Sequence, residues 1–508
     1  MSRSRTAITT LHRAALKSAL GKYAILFFGC LVFHTIGTWS LPLIDRDEPR
    51  FAEASREMIE RGDYIVPHFN NHLRLDKPPF AYWMQVASFK AFGENDFAAR
   101  FPSAVAAALA ALSIFGWGKR ITDERVGWWA AIIFTLSLQT FIHAKAAVAD
   151  MWLVLFVSIA HWSGYELLRD KLTDGGGKHP ILNAHRLTSG SEDLCWCLAF
   201  YTALGLGFLA KGPIAWTPLL TIGATKLFLP HPQLANRFRF GRGILLMLAI
   251  IAAWGMPALI RTHGEFLSIG IGRHVISRSF AAMEGHGAAS LGIYLLLLPF
   301  YFVTVFASFF PWSIKLPRLA RRLWSERDDI DSYLVASAAI IFLIFTVIST
   351  KLPHYILPAF PMLSLLLARR LADERKFFTG AAIATVCIYV VVAFLLPPLV
   401  ARSFPSKQLY NAARDSLRQD MESGAVGFEE PSLVWYFRTR VNGWMSSLRP
   451  KDATKFMERA GPRFIVLPTR LAHELFPVPS RNGKTFSTSG FNVAKGEHVE
   501  LTLLLKQE

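Results

Sequence analysis

Eleven apolar segments, each about the length that crosses a bilayer, constrain this chain more than anything else in it. They fall near residues 23–43, 101–118, 126–144, 147–167, 194–210, 212–229, 243–261, 290–313, 332–349, 352–368 and 377–399. Hydrocarbon offers no water to backbone N–H and C=O groups, so such segments must be helices, and a polytopic α-helical membrane protein of about 11–13 spans is expected. Composition agrees: 52% of the 508 residues are hydrophobic and only 18% charged, more apolar than a soluble core requires. The basic stretch with Arg3, Arg5, Arg13, Lys17 and Lys22 leads into the first segment, which lacks a small-residue cleavage site and is expected to remain as a span.

With the N-terminus in the cytoplasm, the inside loops are 119–125, 169–193, 230–242, 313–331 and 369–376, and each carries at least three Lys or Arg. That is the positive-inside pattern. Topology thus accounts for much of the +18 net charge and leaves no need for a nucleic-acid partner. The four cysteines, Cys30, Cys195, Cys197 and Cys387, lie in apolar segments, where neither disulfides nor a zinc set is expected.

The same topology places the 44–80 loop, the 144–150 turn, the 262–290 loop and the 349–355 segment on one extracytoplasmic face, with the C-terminal tail. Residues 1–401 form the expected transmembrane domain. Residues 402–508 have short apolar runs separated by Gly, Pro, Asn and Ser, the pattern of a small α/β domain.

The 44–80 loop holds Asp45-Arg46-Asp47-Glu48-Pro49-Arg50 and, further on, Asp76-Lys77-Pro78-Pro79. Charge at a span exit is expensive and marks a candidate site. Asp47-Glu48-Pro49 also reads as a helix start, with Asp47 as N-cap of an amphipathic helix on the membrane surface that ends at Gly62-Asp63. Other loops on this face add Lys145, Asp150, Arg273, His274, Arg278, Lys351, His354 and Tyr355. Cations hold and neutralise a phosphate, while carboxylates orient or deprotonate a hydroxyl, so this mixture suits reaction on a lipid-linked anion. Asp47, Glu48 and Asp150 offer oxygen ligands for Mg²⁺ or Mn²⁺, a possible divalent cation. His68 and His72 are a weaker zinc pair in a loop.

Asp47-Glu48-Pro49-Arg50-Phe51-Ala52-Glu53, with Gly62-Asp63-Tyr64-Ile65-Val66-Pro67 and Asp76-Lys77-Pro78-Pro79, resembles the first outer loop of the 4-amino-4-deoxy-L-arabinose lipid A transferases. These belong to a wider membrane glycosyltransferase group that includes protein O-mannosyltransferases. Gly205-Leu206-Gly207-Phe208-Leu209-Ala210-Lys211-Gly212-Pro213 and Thr350-Lys351-Leu352-Pro353-His354-Tyr355-Ile356-Leu357-Pro358 resemble two further signatures, so the likeness runs from about residue 40 to 400. Phe51 stands where the family usually has Tyr, and Asp76 where it often has Glu.

The resemblance implies a GT-C-type fold and an inverting glycosyltransferase, using a polyprenyl-phosphate-linked sugar on the outer face of a bacterial inner membrane. It makes Asp47 and Asp150 the catalytic candidates. Glu48, Arg50, Asp76, Lys77, Lys211, His274, Arg278, Lys351 and Tyr355 become the substrate-binding candidates. The acceptor is a glycolipid such as lipid A or, alternatively, a protein hydroxyl. A lipid-linked-sugar flippase is the rival class, although the charges cluster at span ends rather than at the midplane.

Overall fold

A computed structural model describes residues 20–174, 190–229, 234–277, 291–477 and 483–508. Among these residues six helices are long and apolar enough to cross a membrane: Asp96–Ile121, Asp150–Thr173, Glu192–Lys211, Leu234–Arg261, Asp329–Val347 and Arg375–Ala401. The other expected spans are short or broken. The first is the helix α1, Leu20–Thr35. The third is split into α5 (Glu124–Leu136) and α6 (Leu138–Ala144), which meet at 68°. Pro218, Pro299, Pro311 and Pro361 stand at the breaks that divide the segments near 212–229, 290–313 and 352–368 into short helical pieces. A proline lacks the N–H that would continue the ladder, so these pieces follow from composition.

Between α1 and α4 (Asp96–Ile121) the chain forms α2 (Asp47–Arg61), a hairpin of β1 (His68–Phe69) and β2 (His72–Leu73), and α3 (Phe80–Phe92). Asn70 and Asn71 turn the hairpin with positive φ, as a two-residue primed turn requires. Its pairing sets His68 opposite Leu73 and His72 opposite Phe69, which gives no sign of the zinc pair. Asn95 caps α4 by accepting from Ala98 N at 2.8 Å. The alanine-rich α4 then packs against α5 and α7 (Asp150–Asp174), its small side chains allowing close helix approach. α4 and α5 cross glycine on glycine: a Cβ on Gly118 would meet Gly127 Cα at 2.8 Å.

The C-terminal region is the expected small α/β domain. Its sheet runs in the order β4 (Met445–Ser447), β3 (Glu422–Ala425), β5 (Arg463–Pro468), β7 (Glu497–Lys506), β6 (Gly483–Asn492). β3 is parallel to both β4 and β5, and β7 is antiparallel to β5 and β6. Strand alternation explains its layers. Phe464 and Val466 of β5 pack with Leu409, Leu433 and Phe437, while Ile465 and Leu467 pack with Ala453, Phe456 and Ala472. The apolar run Ser432 to Phe437 is helical rather than extended, within the helix Pro431–Phe437.

This domain corrects the expectation that α2 lies on the membrane surface. Glu53, Arg56 and Glu57, on its polar face, are all buried. Arg438 pairs with Glu53 and, at 2.7 Å, with Glu60, and Arg56 lies 3.9 Å over the Trp435 ring. Asp45 accepts from Ser432 N at 2.8 Å, and Asn70 exchanges two hydrogen bonds with the Met445 backbone. The charged face of α2 is thus an interface within the molecule. Its N-cap is Arg46, with Asp47 the first helical residue and no side-chain cap bond. Gly62, with φ 64°, ends the helix as expected.

Candidate functional site

Asp150 begins α7, and Lys211 ends the neighbouring helix α8 (Gly190–Lys211). The two termini meet, and the Lys211 ammonium is bonded to Asp150 Oδ1. His354 Nε2 lies 3.8 Å from the same oxygen, and its imidazole is tilted 34° to that of His143 with ring centres 4.7 Å apart. Lys211 also sits 5.7 Å over the Tyr355 ring.

A cavity of about 140 Å³ opens beside these groups. Asp76, Lys77, Asp150, Lys211, His354 and Tyr355 supply its polar lining, against apolar walls from Leu153, Ile214 and Phe345. Asp76 and Lys77 enter from the turn before α3, where Arg74 holds Asp76 at 3.2 Å and donates to the Tyr82 hydroxyl at 2.9 Å. Phe51, in place of the usual Tyr, stacks on Tyr82 with centroids 5.0 Å apart. Five candidates separated by up to 279 positions in the chain, Asp76, Lys77, Asp150, Lys211 and Tyr355, are therefore brought to one cavity.

Asp47 lies elsewhere. It is exposed and lines a second cavity of about 400 Å³ with Arg46 and Lys145, walled by the turn at residues 36–38 after α1, by α6 and by the helix Arg375–Ala401. Its charge acts on Arg74, the residue that holds Asp76, so the two cavities are electrostatic neighbours. Arg50 is half-buried, and its charge acts on Asp45.

Two candidates have structural partners that account for them. Glu48 is buried and accepts from Arg100 at 2.6 Å, from Ile44 N at 2.7 Å and from Ala147 N at 2.6 Å, pinning the start of α2 to α4 and the 144–150 turn. Lys351 is buried and donates to Phe345 O and Thr346 O at 2.9 and 2.6 Å, closing the end of the helix Asp329–Val347. Neither Glu48 nor Lys351 lines the cavity with Lys77 and Asp150. The carboxylate cluster expected to hold Mg²⁺ or Mn²⁺ does not form, because Glu48 is bound to Arg100 and Asp47 lines the other cavity. No cofactor is established. Of His274 only the backbone is described, in the helical stretch Phe266–Ser277, and Arg278 lies outside the described residues.

Sequence reasoning passed over Arg100, Arg74 and His143. Arg100 stood one residue before an expected span, where an unpaired cation would be costly. Gln139 and His143, four apart inside the third apolar segment, were the other readable signal; the amide lies 2.9 Å from His143 Nδ1.

The family described as dolichyl-phosphate-mannose-protein mannosyltransferase matches residues 76–175, the stretch that carries Asp76, Lys77 and Asp150. An undecaprenyl phosphate-alpha-4-amino-4-deoxy-L-arabinose arabinosyl transferase of Aeromonas salmonicida is 30% identical over 395 residues, covering 75% of this chain and 67% of its own. The chain belongs to that arabinosyl transferase family. Another relative so named, from Sodalis glossinidius, is 32% identical over 64% of this chain and 54% of its own. Among solved structures, ArnT from Cupriavidus metallidurans bound to undecaprenyl phosphate superposes with a TM-score of 0.73 at 18% identity, covering 95% of this chain and 98% of that one. The fold is therefore shared nearly end to end. The chain is thus a multi-pass membrane glycosyltransferase, as its three sequence motifs implied.

Proposed function

We propose that the chain transfers 4-amino-4-deoxy-L-arabinose, or a close aminosugar, from undecaprenyl phosphate to a lipid A-like glycolipid on the outer face of the inner membrane. The observation that carries this reading is the convergence of Asp76, Lys77, Asp150, Lys211 and Tyr355 on one cavity at the ends of membrane helices. The name shared by the curated relatives and the ligand in the ArnT structure support the donor.

In this mechanism Lys77 and the Tyr355 hydroxyl bind the donor phosphate and stabilise the charge it gains as the bond to the anomeric carbon breaks. Lys211 fixes one oxygen of Asp150, whose second oxygen orients the sugar through its amine or hydroxyls. The acceptor oxygen attacks the opposite face of the anomeric carbon, so configuration inverts. Asp47 serves the acceptor from the adjoining cavity. A phosphate acceptor is already a nucleophile, whereas a hydroxyl acceptor would give its proton to Asp47.

The family match over residues 76–175 favours one alternative, transfer to a protein hydroxyl. Mass spectrometry of envelope glycolipids and polyprenyl phosphates, from cells with and without the gene, separates the two. Loss of one glycosyl group from a glycolipid with build-up of its polyprenyl-phosphate sugar is the expected result. An unchanged glycolipid pool with loss of protein-bound sugar would replace it.

A further inference from the structure

Two histidines beside the Lys77 cavity, one of them part of its lining, have no role in the transfer mechanism. His143, on α6, and His354, in the short helical segment Pro353–Ala359, both flank the carboxylate of Asp150. Each of the three offers a ligand atom, and these atoms all lie within 4.8 Å of one another. Among the described residues no other group of three or more His, Cys, Asp or Glu side chains meets in this way.

From this constellation we propose that His143, Asp150 and His354 form a divalent-cation site of the Zn²⁺ class, open to the substrate cavity. Two imidazoles and one carboxylate are the donor set of a catalytic zinc centre, which keeps its fourth position for water or substrate. Here that position faces the cavity lined by Lys77 and Tyr355, where an oxygen of a phosphate would complete the shell. Ligands of a tetrahedral Zn²⁺ stand about 3.4 Å apart, as metal–ligand bonds of roughly 2.0–2.1 Å require. His354 Nε2 and Asp150 Oδ1 are at 3.8 Å, so small side-chain rotations close the site.

Two neighbours fit this assignment. Gln139 lies 2.9 Å from His143 Nδ1. With its amide turned so that the oxygen accepts from Nδ1–H, the imidazole is fixed in the tautomer whose Nε2 lone pair points to the ion, the usual outer-shell arrangement for a ligand histidine. Lys211 bonds Asp150 Oδ1, so its ammonium and the ion compete for one oxygen. The pair of states is a cation exchange: the ion binds as Lys211 swings to the second oxygen or toward the substrate phosphate.

The test is metal binding, read without substrate, so its outcome is independent of the sugar and acceptor assigned above. Full-length protein in lipid nanodiscs is stripped with chelator and titrated with Zn²⁺ by calorimetry, and with Co²⁺ by visible absorption. One equivalent per chain is expected. His143→Ala and His354→Ala should each weaken it by more than tenfold, and Gln139→Ala by about tenfold. Lys211→Met should tighten it, since the competing ammonium is gone, and His72→Ala should leave it unchanged. His354→Gln, which keeps a polar side chain of similar reach, replaces His354→Ala if that variant melts early. Absence of stoichiometric binding, or an ion retained at equal affinity after both histidines are replaced, would overturn the proposal.

Discussion

The Asp150–Lys211 pair shows how one contact sets the chemistry of a residue. Helix N-termini favour anions and helix C-termini cations, so placing Asp150 at the start of α7 and Lys211 at the end of α8 suits both charges before they meet. If Asp150 orients the sugar as proposed, Asp150→Asn should lower kcat by about a hundredfold or more, because an amide neither balances Lys211 nor holds an aminosugar as a carboxylate does. In the proposed mechanism Lys77→Ala acts on the donor instead. Loss of one charge-assisted contact to phosphate should raise the donor KM by about ten- to a hundredfold. Steady-state kinetics with varied donor lipid distinguishes the two, and an Asp150→Asn enzyme with unchanged kcat would remove that residue from the mechanism. Arg100→Met tests the structural role given to Glu48. It leaves a buried carboxylate without its partner, a cost of about 3–5 kcal/mol, visible as a lowered melting temperature in detergent.

At the scale of elements, α2 matters because both of its faces are covered. Its apolar side packs on α3 through Phe51, Ala54 and Met58, and its charged side docks the C-terminal domain through Glu53, Arg56 and Glu57. Burial pushes the carboxyls of Glu57 and Asp45 up to about 7, with Arg438 and the Asn70 and Asn71 amides lowering the first and Ser432 lowering the second. Glu53, beside Glu57, and Glu430, beside Asp45, raise them further. These groups bind protons more tightly in the docked state than when exposed. Their stabilising effect is therefore complete below their ordinary pKa, near 4, and is lost as pH rises toward about 7. Hydrogen exchange of α2 amides, corrected for intrinsic rates, should accordingly be slower at pH 5.5 than at pH 8. Asp45→Asn combined with Glu57→Gln should flatten that difference, and a difference that persists would locate the titration elsewhere.

Across the whole molecule, the membrane helices, the first loop and the C-terminal domain form one support for the cavity. Glu48 ties the loop to α4 and to the turn before Asp150, and Arg438 ties the same loop to the C-terminal domain. Damage to the far domain should therefore reach the site through α2. Arg438→Met leaves Glu53 buried with Arg56 as its remaining partner and is expected to reduce transfer without altering membrane insertion. Protease protection of the C-terminal domain, measured beside activity, should fall in parallel with it.

Apolar periodicity, loop charge and three short motifs determined the class, the membrane fold and the family, because span length and the cost of charge in lipid are local properties of sequence. Asp150 and Lys211 were legible as candidates for the same reason, as charges at the ends of apolar runs, and Lys77 through the Asp76-Lys77-Pro78-Pro79 motif of the first loop. Their meeting was not, since it depends on how helices pack from distant parts of the chain. Glu48 and Asp47 are adjacent in sequence and alike in charge, yet only the fold gives one of them Arg100 and leaves the other exposed. His143 looked like part of an apolar span until the bend between α5 and α6 carried it beside His354. Tertiary structure alone decided these roles, because burial and partners, rather than residue type, determine whether a charged side chain holds the fold together or lines the cavity.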